Sequence, residues 1–149
     1  MIDDDPNIDS TKLREEFRHE RRYGDVHKAY LLVPGILNSP DAELTDFFSA
    51  GECALRINFF AEAVEYMSKT IELSQRDRDE YYLDQAYFWR AYAFFRLNDF
   101  GSALSDLETV KHVDVPFYVY SVVPKKDFVA YSVKELTDMI RIAAGSADV

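Results

Sequence analysis

A turn-and-alanine pattern that recurs along the chain limits its folding most. From Asp84 to Asp114 the sequence reads DQAYFWRAYAFFRLNDFGSALSDLETVKHVD, two helical runs on either side of Asn98 and Asp99. The first run, Asp84 to Leu97, is dense in aromatics: Tyr87, Phe88, Trp89, Tyr92, Phe94 and Phe95. The second carries Phe100, Ala103, Leu104, Leu107 and Val110, and their spacings of three and four mark one apolar stripe of a helix. Asn98 suits the left-handed residue that ends a helix, and Asp99 can cap the next one. Forty residues earlier, Asn58, Phe60, Ala63 and Met67 stand where Asn98, Phe100, Ala103 and Leu107 stand here, and Gly51 stands for Ala91. Thirty-four residues further back, Gly24, Val26 and Ala29 repeat the turn residue, the apolar residue and the alanine. A helix pair with one apolar face cannot bury that face alone, so recurring pairs are expected to stack on one another.

This pattern resembles the tetratricopeptide repeat, a helix–turn–helix unit with a period of about 34 residues and small residues where its two helices meet. The likeness runs from about Leu13 to Asp114 and is weakest in the first unit, where Phe17 occupies the small-residue position of the first helix. It implies an all-α fold of TPR-like helix-turn-helix repeats, about three in number, with about seven helices in all. The repeats fall at 10–40, 41–76 and 80–114, followed by a C-terminal extended segment and capping helix at 115–144. Residues 10–144 then form one TPR-like domain, with a disordered N-terminal tail at 1–9 and a polar tail at 145–149. In this family ligand contacts come mainly from the first helix of each unit, the concave side. The resemblance therefore implies a partner-binding face built from Phe48, Glu52, Arg56, Phe88, Tyr92, Phe95 and Arg96, with Thr45, Leu55 and Gln85 in the same register. The family's subclass that clamps acidic chaperone tails uses lysine and asparagine on this face. Phe48, Glu52, Phe88 and Tyr92 stand at those positions here, which argues against a carboxylate clamp.

Local signals divide the chain. Ser10 is a suitable N-cap for a helix running to Tyr23, and Gly24 ends it. Pro34 removes a helical hydrogen bond and clashes with the carbonyl of Tyr30, so a kink or break is expected near Val33. Ser39 and Pro40 give a start signal for a helix to Ile57. Its partner runs from about Phe59 to Ser74, and the following RDRDEYY either lengthens the flanking helices or forms a polar loop. The stretch VDVPFYVYSVVPKKDF holds two prolines and many β-branched and aromatic residues, so it leaves the helical pattern. It reads as an extended segment laid across the last repeat, and a short strand is one form it can take. Ser132 and Glu135 form a capping box ahead of Leu136, Met139, Ile140 and Ile142, a helix that would cover the open edge of the third repeat.

The sequence holds no catalytic constellation and no glycine-rich phosphate loop, so neither a cofactor nor an enzymatic activity is expected. His19, His27 and His112 fall in different units, which argues against a metal site. Cys53, between Glu52 and Ala54 on a helix, reads as a small packed residue. The basic run RHERR is interleaved with Glu15, Glu16 and Glu20 and reads as a solvated helix face. The net charge of -10 disfavours nucleic acid and anionic membranes and favours a basic protein partner by steering. One cysteine permits no internal disulfide, and the polar, acidic start is not a signal peptide, which points to a cytoplasmic setting. The expected function is a non-enzymatic protein–protein interaction module: a small acidic binder of one dedicated partner, immunity-protein-like or chaperone-like. A generic repeat scaffold or adaptor in a larger complex is the alternative. An enzyme with a site assembled from scattered carboxylates is a remote third.

Overall fold

The computed structural model describes residues 10–122 and 125–147. The tail expected at 1–9 lies outside the described residues. The chain is mainly α-helical: α1 (Ser10–Tyr23), α2 (Val26–Leu31), α3 (Val33–Leu37), α4 (Leu44–Arg56), α5 (Phe60–Asp77), α6 (Leu83–Arg96), α7 (Phe100–Thr109) and α8 (Val133–Ala147). Between α7 and α8 lies one antiparallel pair of strands, β1 (Phe117–Ser121) and β2 (Asp127–Tyr131), with Val119 opposite Val129 at its centre. The extended segment expected at 115–131 is thus a hairpin, and it is seated on α4 and α6 instead of on the last helix pair alone.

The turn residues behave as their side chains dictate. Asn58 and Asn98 sit at φ 64° and 62°, the left-handed region that asparagine tolerates better than most residues. Each hands its helix to the next: Phe59 N–H reaches back to Ala54 O at 2.8 Å and Asp99 N–H to Phe94 O at 2.9 Å. Asp99 then caps α7 by accepting the N–H of Ser102. Gly24 lies in the turn between α1 and α2, although no glycine of the described chain has positive φ.

These short turns fold successive helices onto one another, α4 on α5, α5 on α6 and α6 on α7. The small residues sit where helices meet, and Ala29, Ala63, Ala91 and Ala103 are all 0% exposed. Gly51 of α4 faces Met67 of α5 so closely that an added Cβ would lie 2.6 Å from the Met67 methyl carbon. Two larger clusters make up most of the core. One gathers Phe17, Val26, Ala29, Val33, Ile36, Ala50, Cys53 and Ile57; the other runs from Ala54 and Leu55 through Phe88, Ala103 and Leu107 to Leu136 and Ile140.

Two local expectations, the Ser39 cap and the polar tail, are corrected, and two others take definite form. Pro34 breaks the second helix near Val33 as expected from its missing N–H: Leu32 ends α2 and opens α3, so the described residues hold eight helical segments where about seven were expected. Ser39 does not cap α4: its hydroxyl donates to Ile36 O and Asp41, and the helix begins at Leu44, where the Asp46 carboxylate accepts the Glu43 N–H at 2.9 Å. RDRDEYY does both: Arg76 and Asp77 lengthen α5, which ends at Arg78 with φ 54°, and the remaining residues form the loop before α6. The C-terminal tail is helical at 145–147, because α8 runs to Ala147. The Ser132–Glu135 capping box is present in both directions, at 3.0 and 3.2 Å. Along α8, Leu136 and Ile140 are fully buried one turn apart, whereas Ile142 points away from that face and is 71% exposed.

Arg14 fastens α1 to the start of α4. Its guanidinium grips Asp46 through two hydrogen bonds of 2.9 and 2.8 Å and reaches the carboxylate and carbonyl of Asp41 at 3.0 Å each. Arg14, followed by the hydroxyls of Ser10 and Ser39, holds the Asp41 carboxyl well below the usual range. A depressed carboxylate stabilises the fold above its unfolded pKa, about 3.9, and that stability is lost as pH falls through the folded value. Arg14→Met is expected to lower the urea midpoint at neutral pH and to shrink the further loss on acidification to about pH 3. Parallel urea titrations at the two pH values check this. An unchanged acid loss would show that other carboxylates carry it.

Candidate interaction surface

The residues expected to face a partner lie on two helices. Spacings of four place Phe48, Glu52 and Arg56 along one row of α4, and Phe88, Tyr92, Phe95 and Arg96 form the matching row of α6. The chain's own hairpin lies on these rows. Phe117 stacks flat on Phe88, with ring centroids 4.4 Å apart and planes 12° from parallel. Trp89 donates its indole N–H to the Tyr118 carbonyl at 3.0 Å, and Val122 N–H donates to the Arg56 carbonyl at 2.9 Å. The Arg56 guanidinium lies 5.1 Å from the Tyr120 ring centroid, and Tyr131 stacks on Tyr92 at 6.3 Å.

Each predicted residue therefore has an assigned neighbour. Phe88 is 0% exposed and belongs to the core. Phe48 packs between Trp89 and Tyr82, at 5.1 and 4.4 Å, and so joins α4 to α6. Glu52 pairs with Arg56 and, at 4.0 Å, with Arg21 of α1. Phe95 contacts Phe100 and Tyr92. Arg96 is exposed, donates to the Tyr92 hydroxyl at 3.0 Å and lies over Phe60 at 4.8 Å. Of the wider register, Leu55 is buried and Thr45 is exposed.

The open surface is the outer face of the hairpin. Alternation along β1 turns Phe117 and Val119 inward and Tyr118 and Tyr120 outward. Phe128 of β2 lies opposite Tyr120 and closes a cluster of three rings, with centroids 5.9 to 6.5 Å apart. Tyr118, Tyr120 and Phe128 are 46%, 41% and 61% exposed. Sequence reasoning missed this patch because FYVY is apolar on both of its alternating faces, so its pattern does not say which side is covered. Two β-rich runs around a Pro-Lys-Lys break were the available signal of a hairpin.

The titratable groups have structural settings. Burial pushes the Cys53 thiol up to about 12, with the Glu52 charge adding to it, so a reactive thiolate is disfavoured. His112 sits on Asp84, which also accepts the N–H groups of Lys111 and His112 and so fixes the chain after α7. Burial alone would raise the Asp84 carboxyl, but these donors outweigh it and lower it. His27 lies beside Asp25, and His19 packs against Tyr23. Among the described residues no group of three histidine, cysteine or acidic side chains could hold a metal ion, and no helix is long and apolar enough to cross a membrane. No family model, no curated protein and no solved structure matches this chain.

Proposed function

We propose that this protein is a non-enzymatic protein-binding module, a small acidic binder of one dedicated partner, carried on TPR-like helix pairs. The partner meets the outer face of the β1–β2 hairpin. The observation that carries this reading is the cluster of Tyr118, Tyr120 and Phe128, three adjoining aromatic residues that are 41–61% exposed. Such a patch loses free energy to water unless something covers it, and aromatic residues dominate binding hot spots. Phe88 and Trp89 hold the hairpin from beneath and the Arg56 guanidinium flanks the Tyr120 ring, so the rings are presented on a fixed support and lose little entropy on binding. The net charge of -10 favours a partner that is basic as a whole, which is consistent with an immunity-like or chaperone-like role.

The test is capture and identification of the partner from the native host, followed by calorimetry with variants. Tyr120→Ala and Phe128→Ala are each expected to weaken binding by about thirtyfold, the loss of a hot-spot residue. Tyr81→Ser alters a ring that is 76% exposed on the loop between α5 and α6, and it should bind as wild type. Wild-type affinity in both hairpin variants, or an equal loss in the Tyr81 variant, would overturn this reading.

A further inference from the structure

One flank of the hairpin differs in charge from the rest of the molecule. The end of α1, the end of α4 and the hairpin enclose a groove of about 340 Å³. Arg21, Arg22, Arg56 and Lys126 line it together with the rings of Tyr120 and Phe128. Among the described residues Asp127 is the one acidic side chain along it, and its carboxylate accepts the Phe128 N–H at 2.8 Å. Four cations against one carboxylate is the reverse of a chain whose net charge is -10.

These cations are not all consumed internally. Arg22 and Lys126 are exposed and make no ion pair among the described residues. Arg21 and Arg56 share the single carboxylate of Glu52, and the Nε–H of Arg56 is buried with no hydrogen-bond partner. Nearby carboxylates are occupied elsewhere: Glu20 accepts the Asp25 N–H, and Asp25 caps α2 through the His27 N–H. The cleft between α1, α3 and α4 also holds arginines, but there Arg14 spends its donors on Asp41 and Asp46. The α1–α4–hairpin groove is therefore a place where positive charge is left over beside exposed aromatic surface.

We propose that this groove receives an acidic peptide segment of the partner protein, carboxylates pairing with Arg21, Arg22, Arg56 and Lys126 while an apolar residue packs on Tyr120 and Phe128. Arginine matches a carboxylate in bidentate geometry, and an arginine already stacked on a ring loses little freedom on pairing. The proposal rests on the protein-binding reading above and names the chemistry of the segment that binds. It also reconciles the charges. The acidic exterior steers a partner that is basic overall, and a local acidic segment of that partner docks where the exterior is cationic.

The probe is a dye-labelled peptide alternating aspartate and phenylalanine, followed by fluorescence anisotropy with the full chain. A lysine–phenylalanine peptide of the same length is the control. Saturable binding of the acidic peptide alone is expected, weakened at least tenfold by Lys126→Glu and by Arg22→Glu. Both positions are exposed, so the fold should persist, and unchanged circular dichroism checks this. Equal binding of both peptides would overturn the proposal, because apolar contact alone would then suffice. Unchanged affinity in both charge-reversal variants would overturn it as well. Self-association that the same variants abolish, read by sedimentation, would overturn it in favour of a second copy as occupant. If the peptide fails while capture of the native partner still depends on Tyr120 and Phe128, the groove assignment falls and the protein-binding reading stands.

Discussion

Asp106→Ala is expected to destabilise the protein by about 3–5 kcal/mol, the cost of breaking a buried ion pair from one side. Asp106 on α7 is only 5% exposed. Both of its oxygens receive Arg90 of α6, at 2.8 and 2.6 Å, and the same guanidinium donates to the Ser68 hydroxyl of α5 at 3.0 Å. The rings of Tyr87 and Phe94 flank it at 5.5 and 5.8 Å. Three successive helices therefore meet on one arginine. Removing the carboxylate leaves a half-buried cation facing apolar rings, and water can reach it only in part. For a chain of this size the loss corresponds to a fall in Tm of roughly 6–20 °C. The double variant Arg90→Met, Asp106→Leu separates pairing from shape. It should recover most of the loss, because a hydrophobic pair of similar volume needs no desolvation of charge. Thermal unfolding of the single and double variants checks both statements. A shift of under about 2 °C in Asp106→Ala would show that the pair is screened by solvent.

That ion pair also marks where sequence reading stops. Asn58, Asn98, Ala63, Ala103 and the Ser132–Glu135 box were legible because each acts on neighbours within one helical turn or recurs at a fixed offset. Arg90 and Asp106 lie sixteen residues apart on different helices, and nothing in their spacing distinguishes them from other charges. The start of α4 was misplaced for a related reason. Ser39-Pro40 is a stronger local signal than Glu43, but Arg14 draws Asp41 and Asp46 together from about thirty residues away and settles the boundary. The candidate site was legible by halves. Register placed Phe48, Arg56, Phe88 and Tyr92 on matching helix faces, but it could not show that the β1–β2 strand pair covers those faces. The covering strands carry no periodic mark that ties them to α4 or α6.

Phe88→Ala decides between the two roles that register and packing assign to the inner face. A residue on an open binding face can be truncated with little loss of stability. Phe88 is fully buried, stacked on Phe117 and set in the cluster that holds Ala54, Ala91, Leu107, Leu136 and Ile140. Its truncation is expected to cost about 3–5 kcal/mol, the range for removing a buried aromatic and leaving part of the space unfilled. The loss should also reach the hairpin, since Phe117 would keep its ring but lose the surface beneath it. Trp89 reports this directly: it is the only tryptophan in the chain, and its indole N–H is bonded to the Tyr118 carbonyl. A red shift of its emission under native conditions would follow if the strand lifts. Phe117→Ala, at 6% exposure, should give a smaller loss of the same kind. The double variant should cost less than the two single losses together, by the roughly 0.5–1.5 kcal/mol that an aromatic pair contributes beyond its area. If Phe88→Ala instead left the urea midpoint and the emission of Trp89 unchanged and abolished partner binding, the hairpin would be a displaceable cover. The inner helix face, and not the outer rings, would then be the surface that a partner meets.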